Sequence, residues 1–132
     1  MKRLDKEKLA RFRNGIVSHI ADDGFPYSIP AKFKVSRDGD VLLEKPKSIP
    51  EIARKKVGVL FNHITAIPTG GYNDRRYVLA SGSLDEHDGM WKLNVEKISE
   101  WDEKVLPFDQ LCMRAVPQGT KYLKMFQAPV EA

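Results

Sequence analysis

Hydrophobic and polar positions alternate with a period of two along most of the first hundred residues. The clearest run is Tyr27-Ser28-Ile29-Pro30-Ala31-Lys32-Phe33-Lys34-Val35, which sets Tyr27, Ile29, Ala31, Phe33 and Val35 on one face. Ser28, Pro30, Lys32 and Lys34 fall on the other, the signature of a half-buried strand. Similar strands are predicted over Ile16–Ala21, Val41–Glu44, Val57–Ile64, Arg75–Leu84 and Met90–Ile98. Asp22-Asp23-Gly24, Ser36 to Asp40 and Glu86-His87-Asp88-Gly89 are turn signals between them. Pro30 has no N–H for a ladder, so its strand is expected to be an edge locally or bulged there.

Three segments break the alternation. Leu4 to Phe12 predicts a short amphipathic helix capped by Asp5 and stopped at Asn14-Gly15. Ser48-Ile49-Pro50-Glu51 has the form of a capping box and predicts a helix of about two turns closed by Arg54, Lys55 and Lys56. Beyond Val105, Phe108, Leu111, Cys112 and Ala115 recur at helical spacing. Pro117 and Gly119 interrupt, and Tyr122, Met125 and Phe126 resume it, which predicts one or two helices. Thr65 to Asp74, with Pro68, Gly70 and Gly71, reads as a mobile loop. The sum is a mainly β single domain over residues 1–132. It has an N-terminal helix at about 4–12, a six-stranded antiparallel barrel at about 15–101 and a helical segment at about 106–127.

Composition narrows this picture. The 132 residues suit one domain. The single cysteine, Cys112, excludes an internal disulfide, and with no signal peptide read at the N-terminus a cytoplasmic setting is expected. No stretch approaches the ~20 apolar residues of a membrane span, so no membrane partner is expected. A surplus of 22 basic over 18 acidic residues is mild and is explained by solubility alone. The three histidines and Cys112 lack the spacing of a zinc site, so no metal is expected.

Taken by themselves, the residues offer one candidate anion site. Lys32 and Lys34 share a strand face, and the Ser48-led helix start presents free N–H groups, less the one Pro50 removes. The plainer reading is two solvated lysines and an ordinary helix cap. His63, at the end of an apolar strand, either approaches a bound ring or simply hydrogen-bonds at a strand end. Arg75 and Arg76 open a strand and either meet a phosphate or partner subunit, or stand solvated. His19 alternates with Val17 and Ala21 and reads as structural, and His87 as a solvated turn residue. Trp91 and Trp101 read as core or subunit contacts.

The order of elements from Gly15 to His63, continued by Ser81-Gly82-Ser83-Leu84 and the hairpin after it, resembles the split-barrel flavoproteins related to pyridoxamine 5′-phosphate oxidase. The resemblance spans roughly residues 12 to 101 and rests on Gly24-Phe25-Pro26, the lysine-bearing strand, Gly39 and the Ser-led helix. It implies a six-stranded antiparallel split barrel of the FMN-binding type. The barrel would form a homodimer with FMN in clefts between subunits and act as an oxidoreductase on a small molecule. Lys34 matches the family's strand lysine and Ser48 the start of its helix. Ile49-Pro50 stand where the oxidase has Arg-Lys, and Ile29 where it has arginine. Lys32, Lys47 and Arg54 are the nearby replacements. The oxidase's C-terminal substrate-binding region is also missing, which implies a general flavin-binding relative rather than the oxidase itself.

The expected cofactor-binding set is Lys32, Lys34, Lys47, Ser48, Arg54, His63 and Arg76. No protein acid or base is expected to be essential, because the flavin carries the redox chemistry. Related barrels bind deazaflavin or haem, which stay open as alternatives; no residue is an obvious haem ligand, and His63 is a conceivable one. A nucleic-acid binder using Phe25, Tyr27 and Phe33 as a stacking platform is disfavoured, because those aromatics fall on the apolar face. A cofactor-free scaffold is the remaining alternative.

Overall fold

The structure, a computed structural model, describes residues 3–46 and 55–126. Along the chain run α1 (Lys6–Leu9), β1 (Asn14–Ile20), β2 (Pro26–Val35), β3 (Val41–Glu44), β4 (Lys56–Ala66), β5 (Tyr72–His87), β6 (Met90–Asp102) and α2 (Phe108–Phe126). The six strands close into an antiparallel barrel in the order β1-β2-β3-β6-β5-β4. β1 closes it by pairing β2 on one side and β4 on the other. The mainly β antiparallel barrel expected from the alternation is observed, and its form is the split-barrel-like one that the resemblance implies.

The alternation works as a folding code here because one face of each strand turns inward. Val17, Leu43, Val59, Phe61, Ala80 and Leu84 are fully buried, and Trp91, Leu93 and Val95 of β6 join them. Phe61 sits at the centre. Its ring meets Phe33 edge-on at 4.8 Å and Phe12 at 6.2 Å, so Phe61→Ala is expected to cost about 3–5 kcal/mol. On β2, Ala31 is buried and Phe33 and Val35 pack against the core, while Pro30, Lys32 and Lys34 are half-exposed or exposed on the outside. Pro30 stands opposite Ile16 of β1, but β3 pairs only with Phe33, Lys34 and Val35. The strand is therefore an edge at Pro30, and the missing N–H faces no ladder.

The structure corrects several sequence expectations. α1 is a single turn, capped by the Asp5 side chain accepting from the Glu7 N–H at 2.9 Å. Half of the expected mobile loop at 65–74 is strand. Gly70 and Gly71 take φ of 111° and 83°, a region open to glycine, and the turn closes with Ile67 N–H donating to Gly71 O at 3.0 Å. β4 and β5 therefore run on to Ala66 and from Tyr72. β5 and β6 are also longer than the alternation predicts, and their register slips between Ser81 and Gly82. A Cβ at Gly82 would stand 1.8 Å from the Asn94 carbonyl oxygen, so only glycine fits that bulge. The helix expected over Ser48–Lys55 lies outside the described residues, apart from Lys55.

At the C-terminal end, where one or two helices are expected, there is one. α2 runs unbroken through Pro117, although proline in a helix interior costs about 3 kcal/mol and a glycine such as Gly119 about 1 kcal/mol relative to alanine. No residue of α2 is buried. Its root is anchored, with Trp101 Nε1 donating to Leu106 O at 2.8 Å and the Arg75 guanidinium 4.3 Å over the Phe108 ring. No helix among the described residues is long and apolar enough to cross a membrane.

Candidate functional site

The outer face of β2, β1 and β4 carries an open groove of about 400 Å³. Its floor is apolar, from Ile16, Pro30 and Leu60, which line up across the three strands by register. Its polar lining is Arg11, Arg13, Asn14, Asn62 and His63, with no carboxylate among them. Lys32 follows Pro30 on the same face and stands opposite Asn14. Lys34 is one further step along, about 6.6 Å from Lys32 at strand rise, and also borders a recess of about 250 Å³ beside α1. Neither lysine has an acidic partner among the described residues. Two such cations this close, at the lip of a carboxylate-free groove, define a region of positive potential.

His63 and Arg76 belong to a second cluster. They are cross-strand neighbours of β4 and β5, and both turn toward Asp74. Arg76 Nη1 donates to Asp74 Oδ2 at 2.9 Å, and His63 Nε2 lies 3.2 Å from the same oxygen and 3.2 Å from Thr65 Oγ1. Arg76 packs over the Phe12 ring, its carbon centre 5.7 Å from the centroid, and only 11% of its side chain is exposed. The Arg76 hydrogen bond holds the Asp74 carboxyl below its ordinary range. Next to it, Arg75 forks onto both oxygens of Glu103 at 2.8 and 3.2 Å. That pairing lowers the Glu103 carboxyl and raises the guanidinium further. Asp102 is disfavoured as an anion by burial, but the Lys104 N–H and Arg11, at 3.0 Å, outweigh this and its carboxyl is lowered.

A cavity of about 420 Å³ opens among these pairs, walled by Phe12, Tyr77, Val78 and Trp101. It matches the groove in size, so charge distinguishes the two. Here Lys8 is held by Glu100 at 2.8 Å and Arg11 by Asp102, and the cations are largely spent on neighbours.

Of the predicted cofactor-binding residues, His63 lines the groove, Lys32 stands at its edge opposite Asn14, and Lys34 borders the neighbouring recess, whereas Arg76 is engaged by Asp74. Lys47, Ser48 and Arg54 lie outside the described residues. Sequence reasoning misses Arg13, Asn14 and Asn62, which look like a helix stop and a strand residue. Their position on the outer face follows from the period of two, but their meeting depends on β1 pairing with β4. His19, read as structural, is 7% exposed and stacks on Tyr27 at 5.9 Å. No group of His, Cys, Asp and Glu suited to a metal ion occurs among the described residues.

Fold and surface together describe a mainly β, split-barrel-like protein with a basic, apolar-floored groove on its outer face. The chain is similar in structure to conserved hypothetical protein Rv2991 from Mycobacterium tuberculosis, known from a crystal structure. The TM-score is 0.59 with 17% sequence identity, covering 80% of this chain and 92% of that one. At that identity the likeness is one of fold. No protein-family model and no curated protein sequence matches the chain.

Proposed function

We propose that this protein is an FMN-binding flavoprotein, a homodimeric oxidoreductase of the pyridoxamine 5′-phosphate oxidase-like kind acting on a small molecule. The observation that carries the reading is the groove over Ile16, Pro30 and Leu60, free of carboxylates, with Lys32 at its edge opposite Asn14 and Lys34 two residues further along the strand, neither with an acidic partner among the described residues. The chemistry of these residues fits the group. A flavin phosphate is a dianion and calls for cations not already spent on acids. An isoalloxazine ring is planar and mostly apolar and calls for a floor of this kind.

Lys32 and Lys34 would grip the phosphate, while Asn14 and Asn62 offer amides to the polar edge of the ring. Ile16, Pro30 and Leu60 would exclude water from one ring face. When bound, the flavin supplies hydride and electron transfer, and the protein contributes orientation and field. His63, oriented by Asp74, borders the groove and steers the ring edge rather than acting on substrate.

The test is the visible absorption spectrum of freshly purified protein, followed by FMN titration. Saturable binding at one FMN per chain supports the reading. A colourless protein that ignores FMN overturns it, and saturable binding of a deazaflavin instead reassigns the cofactor while keeping the groove.

A further inference from the structure

The cavity of about 420 Å³ among the ion pairs is walled by rings that the fold already holds in place. Trp101 is fixed by its Nε1 donating to Leu106 O at 2.8 Å and by the Arg75 guanidinium 5.6 Å over its ring. Its indole N–H is thereby satisfied, and Trp101 offers the cavity ring surface rather than a donor. Tyr77 tilts against it with centroids 6.2 Å apart. Phe12 is held by Phe61 at 6.2 Å and by the Arg76 guanidinium at 5.7 Å. Leu106 and Val78 add to the apolar lining. Small-molecule sites enclose roughly 300–1,000 Å³. A cavity of that size with pre-formed walls binds a flat ring system at little cost in ordering.

Charge sets what kind of ring it suits. Four cations reach the lining, and three are matched: Lys8 by Glu100 at 2.8 Å, Arg11 by Asp102 at 3.0 Å and Arg76 by Asp74 at 2.9 Å. Arg114 is the fourth and has no acidic partner among the described residues. It stands on α2 three residues after Leu111, its neighbour on the helix surface. The root of α2 is pinned through Phe108, which packs on Trp101 at 6.1 Å and lies 4.3 Å from the Arg75 guanidinium. The unmatched guanidinium is therefore carried to the cavity by an anchored helix. A ring cation would gain from the aromatic faces, but it would meet carboxylates already engaged and Arg114 unshielded. A ring bearing a carboxylate meets the reverse, because a guanidinium fork takes both carboxylate oxygens.

We infer that this cavity binds an aromatic carboxylate of one or two rings, with the rings among Trp101, Tyr77 and Phe12 and the carboxylate on Arg114. The site is separate from the flavin groove. The two linings share only Arg11 and Phe12, and Ile16, Pro30 and Leu60 stay uncovered. They also adjoin, since Asn62 of the groove is the cross-strand neighbour of Tyr77. An occupant of the cavity would be the neighbour of a flavin in the groove, which makes aromatic carboxylates the class from which the substrate would come. That consequence rests on the flavin reading, while binding in the cavity does not.

The experiment uses the full chain without added flavin and 2-naphthoate as the probe. The two tryptophans are replaced by 5-fluorotryptophan, their fluorine NMR signals are assigned with Trp101→Phe, and affinity is measured by calorimetry. The expected result is saturable binding at one naphthoate per chain. The Trp101 signal shifts, while that of Trp91, 2% exposed in the barrel core, stays. Arg114→Ala is expected to weaken naphthoate at least about 10-fold, and Arg114→Lys to recover part of the loss. Arg114 is exposed, so the fold should survive, which circular dichroism checks. The neutral 2-naphthalenemethanol should bind more weakly than naphthoate and equally to both chains. Lys32→Ala with Lys34→Ala should leave naphthoate affinity unchanged. Absence of saturable binding up to millimolar naphthoate, an affinity indifferent to Arg114→Ala, an unmoved Trp101 signal, or a loss caused by the lysine changes instead would overturn the inference. FMN titration of the same samples separates the readings. A chain that binds naphthoate and ignores FMN keeps this inference and removes the flavin, and the converse removes the cavity site alone.

Discussion

Two groups of cations meet at Phe12, and they differ in what faces them. Arg75 and Arg76 each have a carboxylate: Glu103 at 2.8 Å and Asp74 at 2.9 Å. Along the outer face of β2, Lys32 and Lys34 have none among the described residues. A paired cation has been used by the fold, whereas an unpaired one repels its neighbours and costs the fold a little until an anion arrives. The paired region therefore holds structure together, and the lysine region is the one proposed to bind the flavin phosphate.

The largest effect expected on stability comes from breaking the paired region. Arg76→Ala removes a guanidinium that is 11% exposed, leaves Asp74 without its main partner and uncovers Phe12. It is expected to cost about 3 kcal/mol in urea denaturation. Lys32→Ala with Lys34→Ala is expected to cost nothing or to stabilise slightly. Equal losses in the two proteins would erase the distinction between the regions.

Acid titration sharpens it. The folded Asp74, Asp102 and Glu103 carboxyls lie below their ordinary values of 3.8, 3.8 and 4.5. A lowered carboxyl contributes stability that is present above its unfolded pKa and lost as pH falls through the folded one. Stability is thus expected to hold from pH 7 to about 5 and to fall steeply below about pH 4. Asp74→Asn with Glu103→Gln should flatten that fall by the two protons these groups would take up, and the lysine variants should leave it unchanged.

Salt gives a smaller response. Exposed lysines are screened within about 10 Å at 0.1 M salt, so FMN affinity is expected to drop several-fold between low and physiological salt, while the urea midpoint barely moves. The smallest effect is at the Lys8–Glu100 pair, with side chains 50% and 47% exposed. Its hydrogen bond raises the Lys8 ammonium above its usual value, yet Lys8→Ala is expected to change stability by under about 1 kcal/mol after solvent screening.

The unequal visibility of these regions in sequence has a physical cause. Alternation reports which way a side chain points, so the pattern alone puts Lys32 and Lys34 outside and Ala31, Trp91, Leu93 and Val95 inside. Alternation does not report which strand lies beside which. Two of the ion pairs join residues far apart in the chain, Arg75 with Glu103 and Arg11 with Asp102, and the groove needs β1 beside β4. The stretch from Thr65 to Asp74 reads as a loop because Gly70 and Gly71 signal a break in pattern without stating its length. Two positive-φ residues close a hairpin more tightly than their composition suggests. At α2 the breakers leave one or two helices open, because Pro117 weakens a helix without having to end it.

The most direct test of the account is the FMN affinity of the Lys32→Ala, Lys34→Ala protein against the unaltered chain, with urea midpoints measured in parallel without FMN. Losing two charge-assisted contacts to one phosphate is expected to weaken binding by at least about 30-fold, with an unchanged midpoint. Equal FMN affinity in the two proteins would contradict the assignment of Lys32 and Lys34 to the flavin phosphate.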